Sequence, residues 1–239
     1  MPEIDPELAA KLVLSCNILG MEGHSDVTLG HVTARLPGQE YLHMNPYALD
    51  IGEIRQEDVV LFDFDGNMLA GTRRRRTEYP IHTEIYKMRP EINCVVHTHP
   101  FYATLLGAIG GGIHPITHES VLFVDIPLFK ETTELIKLPA QGEAVARCLG
   151  QARAALLQNH GIVAVGQSIE EATVYAILLE KASKTELMAR QFSSLVWSSE
   201  EETRHKVEQI YHPRGIQNFW GYFVRRLQAR QGDNRKKEE

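Results

Sequence analysis

An α/β chain is what this sequence predicts, on three observations. A capped helix opens the chain, short β-rich runs separated by turn residues follow, and a further helix feeds into an apolar run ending in His97-Thr98-His99-Pro100. At the N-terminus Asp5 is placed to cap a helix with Pro6 at its first position. Leu8, Leu12, Val13, Cys16 and Leu19 form its buried stripe until Gly20 and Gly23 end it. Residues 32–36, 40–44 and 59–64 read as strands, the last turning at Asp65-Gly66 into 67–69 as a hairpin. A helix over 80–88, with Ile81, Ile85 and Met88 on one face, leads through Arg89-Pro90 into the apolar run 92–96. Ala154-Ala155-Leu156-Leu157 is a second such run. Ser168 and Glu171 form a capping box for a long helix ending near residue 191, with Ala172, Tyr175, Ala176, Leu179 and Ala182 as its packing face. Residues 200–211 are polar and helical in character, 215–227 carry Phe219, Trp220, Tyr222 and Phe223, and the charged stretch 233–239 is expected to be disordered.

Composition narrows the functional classes. A chain of 239 residues with 43% hydrophobic content buries a sizeable core, and no internal repeat or long linker divides it, so one domain is expected. A net charge of -6 provides no basic field for nucleic acid, and small-molecule chemistry fits better. The three cysteines, Cys16, Cys94 and Cys148, are widely spaced within apolar stretches and read as buried free thiols of a reducing compartment. No basic segment leads into an apolar one after Met1, and no run approaches a membrane span, so a cytoplasmic protein is expected.

The histidines carry the chemistry. In a strand, residues i and i+2 share a face, so His97 and His99 can converge on one ion while Thr98 points away. His160, in Asn159-His160-Gly161 after the second apolar run, could complete a three-nitrogen site with open coordination positions, the pattern of a catalytic metal. Glu78 lies just ahead of the helix that Pro80 begins, where a carboxylate serves as base, ligand or merely a helix N-terminal charge. His82, four residues on, divides evenly between a site role and a structural one. Arg73, Arg74, Arg75 and Arg76 precede Glu78, and guanidinium groups bind planar carboxylates through two parallel hydrogen bonds. A solvated basic loop or a subunit contact accounts for at least two of them.

The motif order resembles the class II aldolase/adducin family. It runs Gly30-His31-Val32-Thr33, Met44-Asn45-Pro46, Glu78 with His82, His97-Thr98-His99-Pro100, then Leu156-Leu157-Gln158-Asn159-His160-Gly161, and the similarity covers residues 8–190. The resemblance implies a three-layer α/β/α fold with a central, largely antiparallel sheet, and a homotetramer with active sites between subunits. It implies that His97, His99 and His160 bind a divalent metal, Mn2+ or Zn2+ with Fe2+ as a further option, and that Glu78 is the fourth ligand or the acid/base. The expected organisation is a catalytic domain over 1–195, a helical and aromatic extension over 196–232 and a charged tail over 233–239.

Departures from the sugar-phosphate members shape the substrate expectation. Where those enzymes carry a hydroxyl-rich phosphate cradle with an asparagine, this chain has Leu29-Gly30-His31-Val32-Thr33, and where they carry Ser-Ser-Glu it has Arg76-Thr77-Glu78. The altered pattern, and the tail Pro213-Arg214-Gly215-Ile216-Gln217-Asn218-Phe219-Trp220, resemble a branch of metal-dependent decarboxylases of hydroxylated aromatic or pyridine dicarboxylates. The resemblance thus implies a carbon–carbon lyase with Glu78 and His31 as catalytic candidates and Arg75, Arg76, Thr77, His82 and Tyr222 as substrate-binding candidates. Trp220 and Tyr222 either cover a neighbouring subunit's site or pack the core. Competing readings are an aldolase acting on a hydroxy-oxo acid or sugar phosphate, an oxygen-dependent iron enzyme, and a non-enzymatic adducin-like module.

Overall fold

A computed structural model describes residues 2–238 of the chain, with side chains through residue 232. Eight strands form one sheet: β1 (His31–Ala34), β2 (Tyr41–Met44), β3 (Val60–Asp63), β4 (Met68–Ala70), β5 (Cys94–Thr98), β6 (Leu128–Phe129), β7 (Ala154–Leu157) and β8 (Gly161–Gly166). Their order is β4-β3-β2-β1-β5-β8-β7-β6, antiparallel except for the short parallel pair β6 and β7. The helices are α1 (Pro6–Leu19), α2 (Tyr79–Met88), α3 (Phe101–Ala108), α4 (Pro139–Leu149), α5 (Ile169–Ala189), α6 (Glu200–Ile210) and α7 (Pro213–Glu238).

Strand alternation sorts the core into two layers. Val32 and Ala34 of β1, Cys94 and Val96 of β5, and Ile162 and Ala164 of β8 pack beneath α1, α3, α5 and α7. Val95 of β5 and Val163 and Val165 of β8 face α2 and α4, meeting Ile81, Ile85, Tyr86, Val145 and Leu149. This is the three-layer α/β/α fold with a largely antiparallel sheet. Its consequence for function is that His31, Thr33 and His97, alternating with the first set, all point to the α2 side.

The caps read from sequence form as expected. Asp5 accepts the Leu8 N–H at 2.8 Å, and Ser168 accepts the Glu171 N–H at 3.2 Å. After Leu19 the chain passes through a wide π-type turn, Gly20–His24, in which Gly23 has φ 91°. Strands β1, β2 and β3 are each shorter than the runs 32–36, 40–44 and 59–64, β7 coincides with the run 154–157, and α3, α4, β6 and β8 have no counterpart in the sequence reading. Helix α3 has no side-chain cap, and β8 is a four-residue apolar run between glycines, so neither has a boundary signal of its own. Among the thiols, Cys16 and Cys94 are buried and free, whereas Cys148 is free but only half-buried.

The segment after residue 200 is helical. Ile216, Trp220, Phe223 and Leu227 recur on one face of α7 and join the layer of α1 and α5. Each such side chain stabilises the docking by roughly 1.5–3 kcal/mol when fully buried. Trp220 is therefore a core residue of its own chain, while Tyr222 is 47% exposed. The backbone of α7 continues helically to Glu238 through the segment expected to be disordered, and the side chains of 233–239 lie outside the described residues. No helix among the described residues is long and apolar enough to cross a membrane.

Candidate active site and metal centre

His97 is the fourth residue of β5, and its cross-strand partner on β1 is His31. Their rings lie 4.8 Å apart, centre to centre. His99 follows just past the strand on the same side, while the Thr98 hydroxyl points through the sheet to His24 Nδ1, 2.8 Å away. His160 sits in the tight turn joining β7 to β8, where its N–H donates to the Leu157 carbonyl at 3.1 Å and Asn159 adopts φ 54°. Gly161 is required there, because a Cβ would come within 2.5 Å of both His99 Cδ2 and the Thr98 carbonyl. At the head of β1, Asn45 accepts the Val32 N–H at 2.8 Å and donates to the Gly30 carbonyl, which holds His31 in place.

Hydrogen bonds fix which ring nitrogens face the site. A carbonyl oxygen only accepts, so the 2.9 Å contact between His97 Nδ1 and the Ile162 carbonyl places the proton of neutral His97 on Nδ1. The Asp26 carboxylate, 3.0 Å from His99 Nδ1, does the same for His99. Both Nε2 atoms are then bare and only 3.2 Å apart. Two facing lone pairs repel, and a cation beside them removes the repulsion. His160 adds a ring whose two nitrogens are buried without a hydrogen-bond partner among the described residues. One ligand atom from each of His97, His99 and His160 lies within 4.8 Å of the others, as do those of His31, Glu78 and His97. The donor set therefore fits a divalent metal, with Asp26 and the Ile162 carbonyl orienting two of the candidate donor rings.

Glu78 stands at the centre of these rings from the N-cap position of α2. Its Oε1 is 3.5 Å from His160 Nε2 and accepts the Ile136 N–H at 2.8 Å; its Oε2 is 3.9 Å from His97 Nε2 and 4.0 Å from His31 Nε2. Burial works to raise its pKa, but the surrounding His160, His31 and His97 outweigh burial and hold the carboxyl well below the usual carboxylate range. The imidazoles shift the other way. Burial pushes His31 down to about 4, and it pushes His97 and His82 well below the ordinary histidine value. His99 is lowered by burial and then by His160, against the opposing pull of Asp26. His31, His82, His97 and His99 thus present neutral nitrogens around the ionised carboxylate of Glu78.

These shifts set a pH dependence. The unfolded chain protonates its histidines near 6.5, whereas folded His31 resists protonation to about 4 and buried His24 to about 3. Protons therefore favour the unfolded state as pH falls through that window, and the depressed carboxyl of Glu78 acts in the same direction below its own ordinary value. Denaturant midpoints of the metal-free protein are expected to be flat above about pH 7 and to fall steadily below about pH 6. A midpoint that rose on acidification would contradict the neutral, buried state of these rings.

Two adjoining cavities of about 430 and 520 Å3 meet at Leu29, Glu78, His99 and Leu135. One has a cationic wall of Arg74, Arg75, Arg76 and Lys137, and the other an apolar wall containing Phe101, Leu105 and Ala108. Of the expected substrate-binding residues, Arg75, Arg76 and Thr77 line the cationic cavity. The two guanidinium groups are already engaged. Arg75 donates to the Gly66 carbonyl at 2.6 Å and stacks 3.8 Å over the Tyr79 ring; buried Arg76 donates to the carbonyls of Thr28 and Leu49, with its Nε unpartnered. Burial lowers Arg76 to about 10. His82 lies behind His31, with one ring nitrogen bonded to His31 and the other to Thr33. Tyr222, on α7, is absent from the lining of both cavities.

Sequence reasoning missed Asp26, the Ile136 N–H, Tyr47 and Lys137. All four lie in connecting segments between helices and strands, where no periodicity assigns a side chain or a backbone N–H to a face.

Comparison with known proteins agrees with this geometry. The chain is 26% identical over 235 residues to 3,4-dihydroxyphthalate decarboxylase of Arthrobacter keyseri, covering 91% of this chain and 93% of that protein. It is 29% identical over 181 residues to methylthioribulose-1-phosphate dehydratase of Xanthomonas campestris pv. campestris, 70% of this chain and 82% of the other. In fold it matches L-fuculose 1-phosphate aldolase from Glaciozyma antarctica PI12, with a TM-score of 0.85 at 24% identity over 98% of this chain and 96% of that one. The family model for the class II aldolase and adducin N-terminal domain matches residues 10–187, which span every strand and all the clustered histidines, and the chain belongs to that family.

Proposed function

We propose that this chain is a divalent-metal-dependent carbon–carbon lyase, a decarboxylase of a hydroxylated aromatic or pyridine dicarboxylate. The observation that carries this reading is the two-sided cavity: a nitrogen-rich donor cluster with Glu78 at its centre, a cationic wall on one side and an apolar wall on the other. Such walls match a flat ring with two carboxylates. Similarity along nearly the whole chain to a dihydroxyphthalate decarboxylase supports the same substrate class.

His97, His99 and His160 would hold the metal, Mn2+ or Zn2+ with Fe2+ as a further option, since imidazole ligands suit several such ions. When bound, the metal supplies a Lewis acid that draws electron density from the substrate oxygens. Glu78 and His31 carry protons. One accepts the proton of the substrate hydroxyl, and the proton is delivered to the ring carbon that bears the carboxylate. Carbon dioxide then leaves, and the electron pair of the broken carbon–carbon bond restores aromaticity. Leu29, Phe101, Leu105 and Leu135 offer the ring apolar contact; all four are exposed in the single chain and would restrict water once a neighbouring subunit covered them. A homotetramer would cover the exposed Phe101, and Tyr222 would then be placed to approach a neighbouring subunit's site.

The carboxylate away from the metal is assigned to Arg74 and Lys137, whose side chains line the cavity and make no ion pair or hydrogen bond among the described residues. Arg74→Gln with Lys137→Gln is expected to raise KM by about tenfold or more with a smaller change in kcat, the signature of lost binding common to ground and transition states. Initial rates across substrate concentrations read this directly. An unchanged KM would return the fork to Arg75 or Arg76.

The test of the function is carbon dioxide release from a panel of hydroxylated benzene and pyridine dicarboxylates, with manganese, zinc or iron, under anoxic conditions and against a chelated control. Metal-dependent release from one member is the expected result. Because a cationic wall also suits phosphate, the second reading is aldol cleavage of a hydroxy-oxo acid or sugar phosphate. Silence of the dicarboxylate panel with aldehyde or pyruvate formed from such substrates would favour it.

A further inference from the structure

Behind His31 a buried chain of hydrogen bonds leads away from the cavity. His31 Nδ1 is 2.6 Å from His82 Nε2, His82 Nδ1 is 2.7 Å from Thr33 Oγ1, and Thr33 Oγ1 is 3.0 Å from the Tyr86 hydroxyl. The chain ends where that hydroxyl donates to the backbone carbonyl of Thr33 at 3.1 Å. His31 and Thr33 share a strand face at i and i+2, while His82 and Tyr86 share a helix face at i and i+4, so the two pairs interdigitate. The four residues are 3%, 0%, 0% and 1% exposed, in the order His31, Thr33, His82, Tyr86, so water does not stand in for a missing partner.

The carbonyl at the end sets the direction of every bond. It can only accept, and Tyr86 has one hydroxyl proton, which therefore goes to it. The contact between Tyr86 and Thr33 must then use the Thr33 hydroxyl proton. Thr33 Oγ1 in turn accepts from His82 Nδ1, which leaves neutral His82 bare at Nε2, and that nitrogen accepts the Nδ1 proton of His31. All four contacts become hydrogen bonds. With the direction reversed, only three do: the Tyr86 proton turns to Thr33 Oγ1, its contact with the carbonyl loses a donor, and the proton gained at His31 Nε2 faces Glu78 Oε2 at 4.0 Å, beyond hydrogen-bond reach.

We propose that Tyr86, Thr33 and His82 are positioning residues that fix His31 as the Nδ1-protonated tautomer and turn its Nε2 lone pair into the site, where it accepts the proton of the substrate hydroxyl. The tautomer follows from the hydrogen-bond chain; the proton-accepting role rests on the lyase reading above. In that step the substrate O–H bond breaks and an N–H bond forms at Nε2. The chain offers no exit, because beyond Tyr86 there is only a carbonyl, so the proton held at Nε2 leaves on the cavity side, towards the reacting carbon. Water reprotonates the product oxygen on release.

The test reads the rings directly. Protein labelled with 15N-histidine and stripped of metal, without substrate, is examined by two-bond proton–nitrogen correlation, with His31→Gln and His82→Gln assigning the two rings. Protonation of both rings at Nδ1 alone is expected, and His31 protonated at Nε2 would overturn the proposal. Thr33→Val keeps the shape and removes the hydroxyl. It is expected to mix the tautomers of both rings and to lower kcat about tenfold with KM within about twofold, while Thr33→Ser restores both readouts. Should Thr33→Val not fold, Tyr86→Phe frees the Thr33 proton for His82 and is expected to shift His31 towards the Nε2-protonated form. Unchanged tautomers in a folded variant would refute the chain's role. If the wild-type spectra show the Nδ1 tautomer but no dicarboxylate is decarboxylated, the reaction assignment fails and the tautomer stands.

Discussion

Replacing His99 by alanine is expected to abolish tight metal binding and turnover together. The substitution removes one of three clustered imidazoles and strands Asp26, whose carboxylate is 3.0 Å from His99 Nδ1. Loss of an outer-shell partner alone typically lowers metal affinity by about 10–100-fold, so loss of a direct ligand is expected to exceed about 100-fold. Chelator competition with bound-metal analysis measures the affinity, and carbon dioxide release measures turnover. His99 Cδ2 also occupies the space beside Gly161, so a thermal midpoint accompanies the assay. Metal retained at wild-type affinity in a folded His99→Ala protein would remove His99 from the centre.

Glu78→Gln separates binding from chemistry. The amide keeps the size of the side chain and an oxygen able to accept the Ile136 N–H, but it cannot carry a proton. Expected is metal content close to wild type with kcat lower by about 10²–10⁴, the usual contribution of a positioned acid or base. Should metal be lost in proportion to activity, Glu78 is a ligand first. A normal rate would exclude it from proton transfer altogether. Together the two variants distinguish the groups that hold the metal from those that move protons around it.

What was legible in the sequence is what the local chain dictates. Period two through His97-Thr98-His99, at the end of the apolar run 92–96, put His97 and His99 on one face and Thr98 on the other, because side-chain direction in an extended chain alternates whatever lies across from it. Asp5 and Ser168 announced their helices through caps that act within three residues. The order of motifs identified the family and, through it, the layers. Where a boundary had no local chemistry, as at α3 and β8, the element passed unread.

Tertiary structure alone decided the partners. That Arg75 and Arg76 are engaged by carbonyls, that Arg74 and Lys137 are left facing the cavity, and that Trp220 belongs to its own core follow from packing between distant segments. Asp26 reaches His99 across 73 positions, and Thr33 reaches His82 across 49. Local periodicity specifies the face on which a side chain lies, and the sequence by itself determined those faces and the donor types on them. Which donor meets which acceptor depends on the closure of long loops around two packed layers, so the tautomers and the free charges of the site exist only in the folded chain.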